Sequence, residues 1–286
     1  MNEENLIGRV SATEKNPTTT DDFTFWADDE VEISPFDIVK AENNIGEKSS
    51  ITYAIIEDIN RITDSPNHLS NYISSDFGNV ESESMTKRVE VTFATANIIN
   101  NTKDIQMPLR HHEKVYFPDE KEIKEALGLD KIKNPIPAGI IRSTNGLTVP
   151  ISLSKHYLIG KEGAHLNISG ISGLATKTSY SMFICQALQQ KCDDVAIIIM
   201  NVKGSDLLRV NKLNNNVDIN QKKLWKKCGL EYKTFDNVKF FYPYRDNNEL
   251  YNVNTSLEKE MIEEQVRDNI LNRYVYTYKE HRNDID

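Results

Sequence analysis

Gly170-Ile171-Ser172-Gly173-Leu174-Ala175-Thr176-Lys177-Thr178 is the stretch on which the reading of this chain turns. Residues 164–169 before it (AHLNIS) predict a strand, and the small residues that follow predict a loop. Residues 179–190 then carry Met182, Phe183, Ile184, Ala187 and Leu188 at helical spacing. Residues 196–200 (AIIIM) are continuously apolar, the pattern of a central parallel strand buried on both faces. Strand, loop, helix and strand make a βαβ unit. Such a loop lets backbone N–H groups converge on phosphate oxygens at the positive end of the next helix. Lys177 supplies a cation for the β- and γ-phosphates and Thr178 a hydroxyl for Mg²⁺. The loop departs from the usual GxxxxGK[ST] spacing. Ile171 stands where the first glycine belongs and Thr176 where the second does, with Gly170 and Gly173 displaced. The rival reading is a tight strand-to-helix turn with an incidental Lys-Thr pair.

Upstream the grammar is different. Residues 6–10, 23–26, 36–40, 51–56 and 87–96 alternate or are rich in β-branched and aromatic side chains. Short strands recurring with polar turns between them predict a small closed or nearly closed β-barrel. The polar insert 62–85 predicts a long loop with a short helix near 69–72. Residues 114–117 read as another extended piece. Residues 119–128 read as a short helix, opened by acidic residues and stopped by Gly128. Residues 138–142 and 149–153 are two further extended segments, and the domain boundary is placed near Pro150.

The chain has 286 residues, enough for about two domains, with 38% hydrophobic residues and a net charge of −9. That balance excludes a protein that coats nucleic acid with a uniformly basic surface, but leaves room for a local basic patch. Cys185, Cys192 and Cys228 form no CxxC pair, so neither a disulfide framework nor a zinc site is expected. The N-terminus is acidic without an apolar run, and the longest apolar run is too short to span a bilayer. A cytoplasmic location and no membrane contact are the expectation.

The loop 170–179, with residues 149–153 and 158–165 ahead of it, resembles HerA-type ATPases of the HerA/FtsK superfamily, bacterial branch, whose loop reads SGLATKT. The resemblance implies an N-terminal HAS-like β-barrel over 1–150. It implies the front, incomplete part of a RecA-like P-loop α/β domain over 151–286. Gly170, Ser172, Gly173, Leu174, Ala175, Thr176, Lys177, Thr178 and Ser179 would then hold ATP, with Mg²⁺ on Thr178. Asp206 is the candidate catalytic residue, for water or Mg²⁺, its alternative role being a turn or capping carboxylate. The family assembles as hexameric rings that translocate double-stranded DNA, often beside a nuclease or an anti-phage effector. Residues 238–243 end in Tyr-Pro rather than an acidic pair, and residues 256–276 read as one helix. Walker-B-type residues are thus not found, and efficient hydrolysis by this chain alone is not expected.

Two further readings stand beside this. One is a non-catalytic interaction or assembly module whose degenerate loop binds nothing. The other concerns Lys222, Lys223, Lys226 and Lys227 around Trp225: a DNA-backbone contact, or the polar face of a helix anchored by Trp225. Of these two the anchored helix is preferred.

Overall fold

A computed structural model of the chain describes residues 5–82, 88–160, 164–171, 176–202, 204–244 and 253–275. The chain divides into two compact units, Met1–Pro135 with Gly139–Ser154, and Ile136–Ala138 with Lys155–Asp286.

In the first unit β1 (Leu6–Ser11), β2 (Asp22–Ala27), β3 (Ile38–Ile45), β4 (Lys48–Thr63), β5 (Glu90–Asn101) and β6 (Lys114–Tyr116) form a closed antiparallel barrel in the order β1-β2-β5-β4-β3-β6. Alternation explains the closure. Phe23, Phe25 and Ala27 point inward from β2 and are buried, whereas Thr24 and Trp26 are half-exposed. Across the β2–β5 ladder Phe23 faces Ala96 and Phe25 faces Ala94, so each large ring meets a small partner in the narrow interior. Gly8 is obligatory at a close approach: a Cβ there would stand 2.0 Å from the Trp26 carbonyl oxygen.

α1 (His68–Ser74) lies in the long insert between β4 and β5, where the sequence predicts a short helix. α2 (Glu120–Ala126) begins with a reciprocal capping box between Asp119 and Glu122 and is followed by Gly128 at φ 65. Its buried Ile123 and Ala126 pack with Ile38, Tyr53 and Val149. Lys40 Nζ donates to both oxygens of Glu122 at 2.5 and 2.6 Å. β7 (Pro135–Arg142) and β8 (Thr148–Ser154) pair as a two-stranded ribbon.

The second unit holds α3 (Lys155–Ile159), α4 (Thr176–Lys191), α5 (Ile219–Lys227), α6 (Lys259–Arg267) and a parallel pair, β9 (Phe240–Pro243) with β10 (Leu271–Tyr274). One core gathers Ile184, Ala187 and Leu188 of α4 with Ile136, Leu158 and Leu230, and another gathers Phe240, Tyr242, Leu257 and Ile262.

Three expectations are corrected. Residues 164–169 and 196–200 are not strands. Val195 and Ile197 pack against the α4 core, but Ile198 and Met200 are 81% and 78% exposed, so the second segment is not buried on both faces. No described strand flanks either segment, and without a neighbour to complete the ladder an apolar run stays merely extended. The helix expected over 256–276 spans only Lys259–Arg267. Asn269 adopts φ 56 just past its end, and Leu271–Tyr274 pairs with β9 instead. The strand expected over 36–40 begins at Ile38, because Phe36 sits at φ 74 in a turn.

Among the described residues no helix is long and apolar enough to cross a membrane.

Candidate nucleotide site

Ser172, Gly173, Leu174 and Ala175 lie outside the described residues, so the site is built from its two ends. Gly170 and Ile171 are exposed and outside regular secondary structure; Thr176 opens α4, which puts Lys177, Thr178 and Ser179 in the first turn. Helical spacing of the apolar residues behind them drives that placement, with Ile184, Ala187 and Leu188 buried. The first turn carries no acidic side chain to offset the positive end of the helix dipole.

Lys177 is half-buried and folds back over the loop. Its Nζ donates to the carbonyl of Gly170 at 2.9 Å and of Ile171 at 3.2 Å. No described carboxylate lies within ion-pair distance of it. A Cβ on Gly170 would sit 3.2 Å from Thr176 Oγ1 and 3.4 Å from Lys177 Cγ, so the small residue keeps the approach open. Ser181 Oγ donates to the Lys177 carbonyl at 2.8 Å, fixing the turn that carries the cation. Thr178 and Ser179 are exposed with hydroxyls on the same turn. The donor set is therefore a cation, two hydroxyls and the amides of a helix N-terminus, which suits a phosphate with its counter-ion and not a cation alone.

Asp206 lies apart in kind. It is exposed in a single 3-10 turn, Asp206–Arg209, and among the described residues it makes no hydrogen bond or ion pair with Lys177 or Thr178. Asn201, at the end of the apolar run, donates from Nδ2 to the Gly204 carbonyl at 2.9 Å, while its Oδ1 is buried without a partner. His165 is exposed on an extended segment and Lys161 lies outside the described residues. Among the described residues no group of three or more His, Cys, Asp and Glu side chains is placed to hold a metal ion.

On α5 all four lysines are exposed. At 100° per residue they occupy an arc of about 140°, opposite Leu224, Trp225 and Cys228. Trp225 is half-buried, its ring 5.0 Å from Phe183 and 5.6 Å from Tyr232, so it anchors the helix rather than offering a stacking face. Lys222 lies 5.6 Å from the Tyr232 ring.

One arrangement escaped the sequence reading. Gln190 exchanges two hydrogen bonds with the main chain of Glu231, at 2.9 and 2.8 Å, and Gln189 does the same with Asp236, at 2.8 and 3.0 Å. Buried Gln186 donates to the carbonyls of Lys233 and Thr234. Three glutamines on one face of α4, at i, i+3 and i+4, thus clasp an extended segment by copying a β-ladder with side-chain amides. The spacing is visible in the sequence; its meaning depends on a partner about 45 residues away.

Neither family models nor curated proteins match this chain.

Proposed function

We propose that this chain is an ATP-binding subunit of the HerA type, with its HAS-like barrel followed by the front part of a RecA-like domain. The observation that carries the reading is Lys177, in the first turn of a sixteen-residue helix without acidic residues there, donating among the described residues to the Gly170 and Ile171 carbonyls. Those carbonyls are weaker partners for an ammonium than a polyphosphate, so a triphosphate would draw Nζ away from them. Gly170 and Ser172 to Ser179 would hold the nucleotide, and the Thr178 hydroxyl would face its Mg²⁺. Bound there, Mg²⁺ would neutralise charge on the β- and γ-phosphates. Assembly into a ring acting on double-stranded DNA, with a nuclease or defence effector alongside, is part of the same proposal through the resemblance. Asp206 is retained as the candidate for orienting water, in a site completed by other residues.

A second reading, an interaction or assembly module, is favoured by one specific feature: Ile198, Met200 and Val202 project from an unpaired extended segment at 81%, 78% and 93% exposure.

The deciding experiment is a Mg-ATP titration of the purified chain beside Lys177→Ala. Saturable binding that weakens at least about tenfold in the variant supports the nucleotide reading, since the loss is that of a charge-assisted contact. Equal binding, or none by either folded protein, transfers the proposal to the interaction module.

A further inference from the structure

A cleft of about 430 Å³ opens on the first unit. Ile38, Ile55, Leu127 and Ile141 supply an apolar floor. Phe36 stands at its rim, 80% exposed and at φ 74, a backbone region that bulky residues rarely adopt. The strained residue is held from both sides: Phe36 N donates to the Ile56 carbonyl at 2.8 Å, and Ile56 N to the Asp37 carbonyl at 2.9 Å. Buried Asp37 joins the two loops that frame the cleft. Its carboxylate accepts from Ser34 N at 2.9 Å, Ser143 Oγ at 3.1 Å and Thr144 N at 2.9 Å. The cleft is thereby preformed, and backbone strain of this kind concentrates at ligand clamps.

The polar groups left over define the ligand. Asp37, the strongest acceptor in the lining, already accepts three hydrogen bonds from the protein, which leaves little for sugars and nucleobases that need several donors and acceptors at once. Arg142 lines the cleft, is exposed, and among the described residues has no carboxylate within ion-pair distance. An unpaired guanidinium beside an apolar floor is complementary to a carboxylate attached to an apolar body, because its planar fork receives both oxygens at once. The opening at the rim leaves room for a chain to run out to solvent. We propose that this cleft captures the carboxyl terminus of a polypeptide ending in a large aromatic or aliphatic residue. That side chain rests on the isoleucine floor against Phe36, and its terminal carboxylate pairs with Arg142.

The test is a calorimetric titration of the full chain with three probes: a short peptide ending in Leu-Phe with a free carboxylate, the same peptide amidated, and 3-phenylpropanoate. The free-acid peptide binds saturably, and amidation or Arg142→Met weakens it about tenfold or more. Arg142 is exposed, so the variant keeps its fold, which far-UV circular dichroism checks. Phe36→Asn, a residue at ease at positive φ, leaves the melting temperature unchanged or raised and weakens binding several-fold. A purely structural Phe36 would instead lose stability and leave affinity untouched. Equal binding of the amidated peptide, indifference to Arg142→Met, absence of saturation at millimolar peptide, or binding of 3-phenylpropanoate without the peptide each overturns the proposal.

Discussion

β5 and residues 195–202 are written in the same alphabet, yet they end differently. β5 is flanked by β2 on one side and β4 on the other, and its Ala94 and Ala96 are fully buried. The later segment is richer in isoleucine, but among the described residues it has no strand beside it and turns Ile198, Met200 and Val202 to solvent. Side-chain preference is therefore not what makes a strand. Backbone groups must find a ladder, and the barrel supplies one on every side because it closes on itself. The second unit solves part of the same problem with amides: Gln189 and Gln190 stand in for the missing neighbour along 231–236.

The largest effect expected from this contrast is in the barrel. Phe25→Ala removes a fully buried ring opposite Ala94 and costs about 3–5 kcal/mol, read by chemical denaturation. Ile198→Thr, at a position 81% exposed, changes stability by less than about 0.5 kcal/mol. A large cost for Ile198→Thr would break the comparison, because it would mean that the segment is covered in solution, as the assembly reading requires. Hydrogen exchange sharpens the point at the backbone. Amides of 93–98 are protected to near the global stability, while those of 196–200 exchange orders of magnitude faster.

The glutamine clasp ranks next. Gln190→Ala deletes both bonds to Glu231 and costs about 1 kcal/mol, since the freed main-chain groups remain within reach of water. Gln186→Met costs less. Gln186 Oε1 is already buried without a partner and its donor bonds are long, at 3.4 and 3.2 Å, so an apolar chain of similar size removes an unsatisfied group. If Gln186→Met proves the more damaging, the clasp is not a ladder substitute but a single buried anchor.

How much of this was readable in advance follows from where each instruction resides. Residues 23–26 announce β2 by alternation, and Asp119 with Glu122 announces α2, because both signals are local. The helix after Lys177 was equally legible from Ile184, Ala187 and Leu188. What failed was non-local. Nothing within 196–200 says whether a second strand lies alongside, and the positive φ of Asn269, which turns a helix into β10, is one residue's choice in a stretch that otherwise reads as helical. Of the candidate site, the helix was legible but its start was not: the sequence pattern leaves Lys177 and Thr178 in the loop before Ser179, whereas α4 begins at Thr176. Asp206, which makes no hydrogen bond or ion pair with Lys177 among the described residues, stands in a 3-10 turn that no local pattern announces.

The last effect, about as large as that of Gln190→Ala at neutral pH, has the most distinctive pH signature. Tyr53 is fully buried, and its hydroxyl donates to Glu125 at 2.9 Å. Burial first, then the hydrogen bond and charge of Glu125, hold its proton far above the ordinary tyrosine range. In the unfolded chain that proton leaves near pH ~10, so above this pH the folded state binds more protons than the unfolded one. The contribution of Tyr53 is therefore complete below pH ~10 and declines as pH rises from there. Tyr242 in the second unit is also raised by burial, but its hydrogen bond to Gln265 acts in the opposite direction, so its share of the alkaline loss is smaller. Tyr53→Phe keeps the ring, costs about 1 kcal/mol at neutral pH and flattens the fall in stability above pH ~10. Tyr242→Phe flattens it less. The opposite ranking in urea titrations across pH 8 to 11 would move the alkaline weak point from the barrel to the β9–β10 unit.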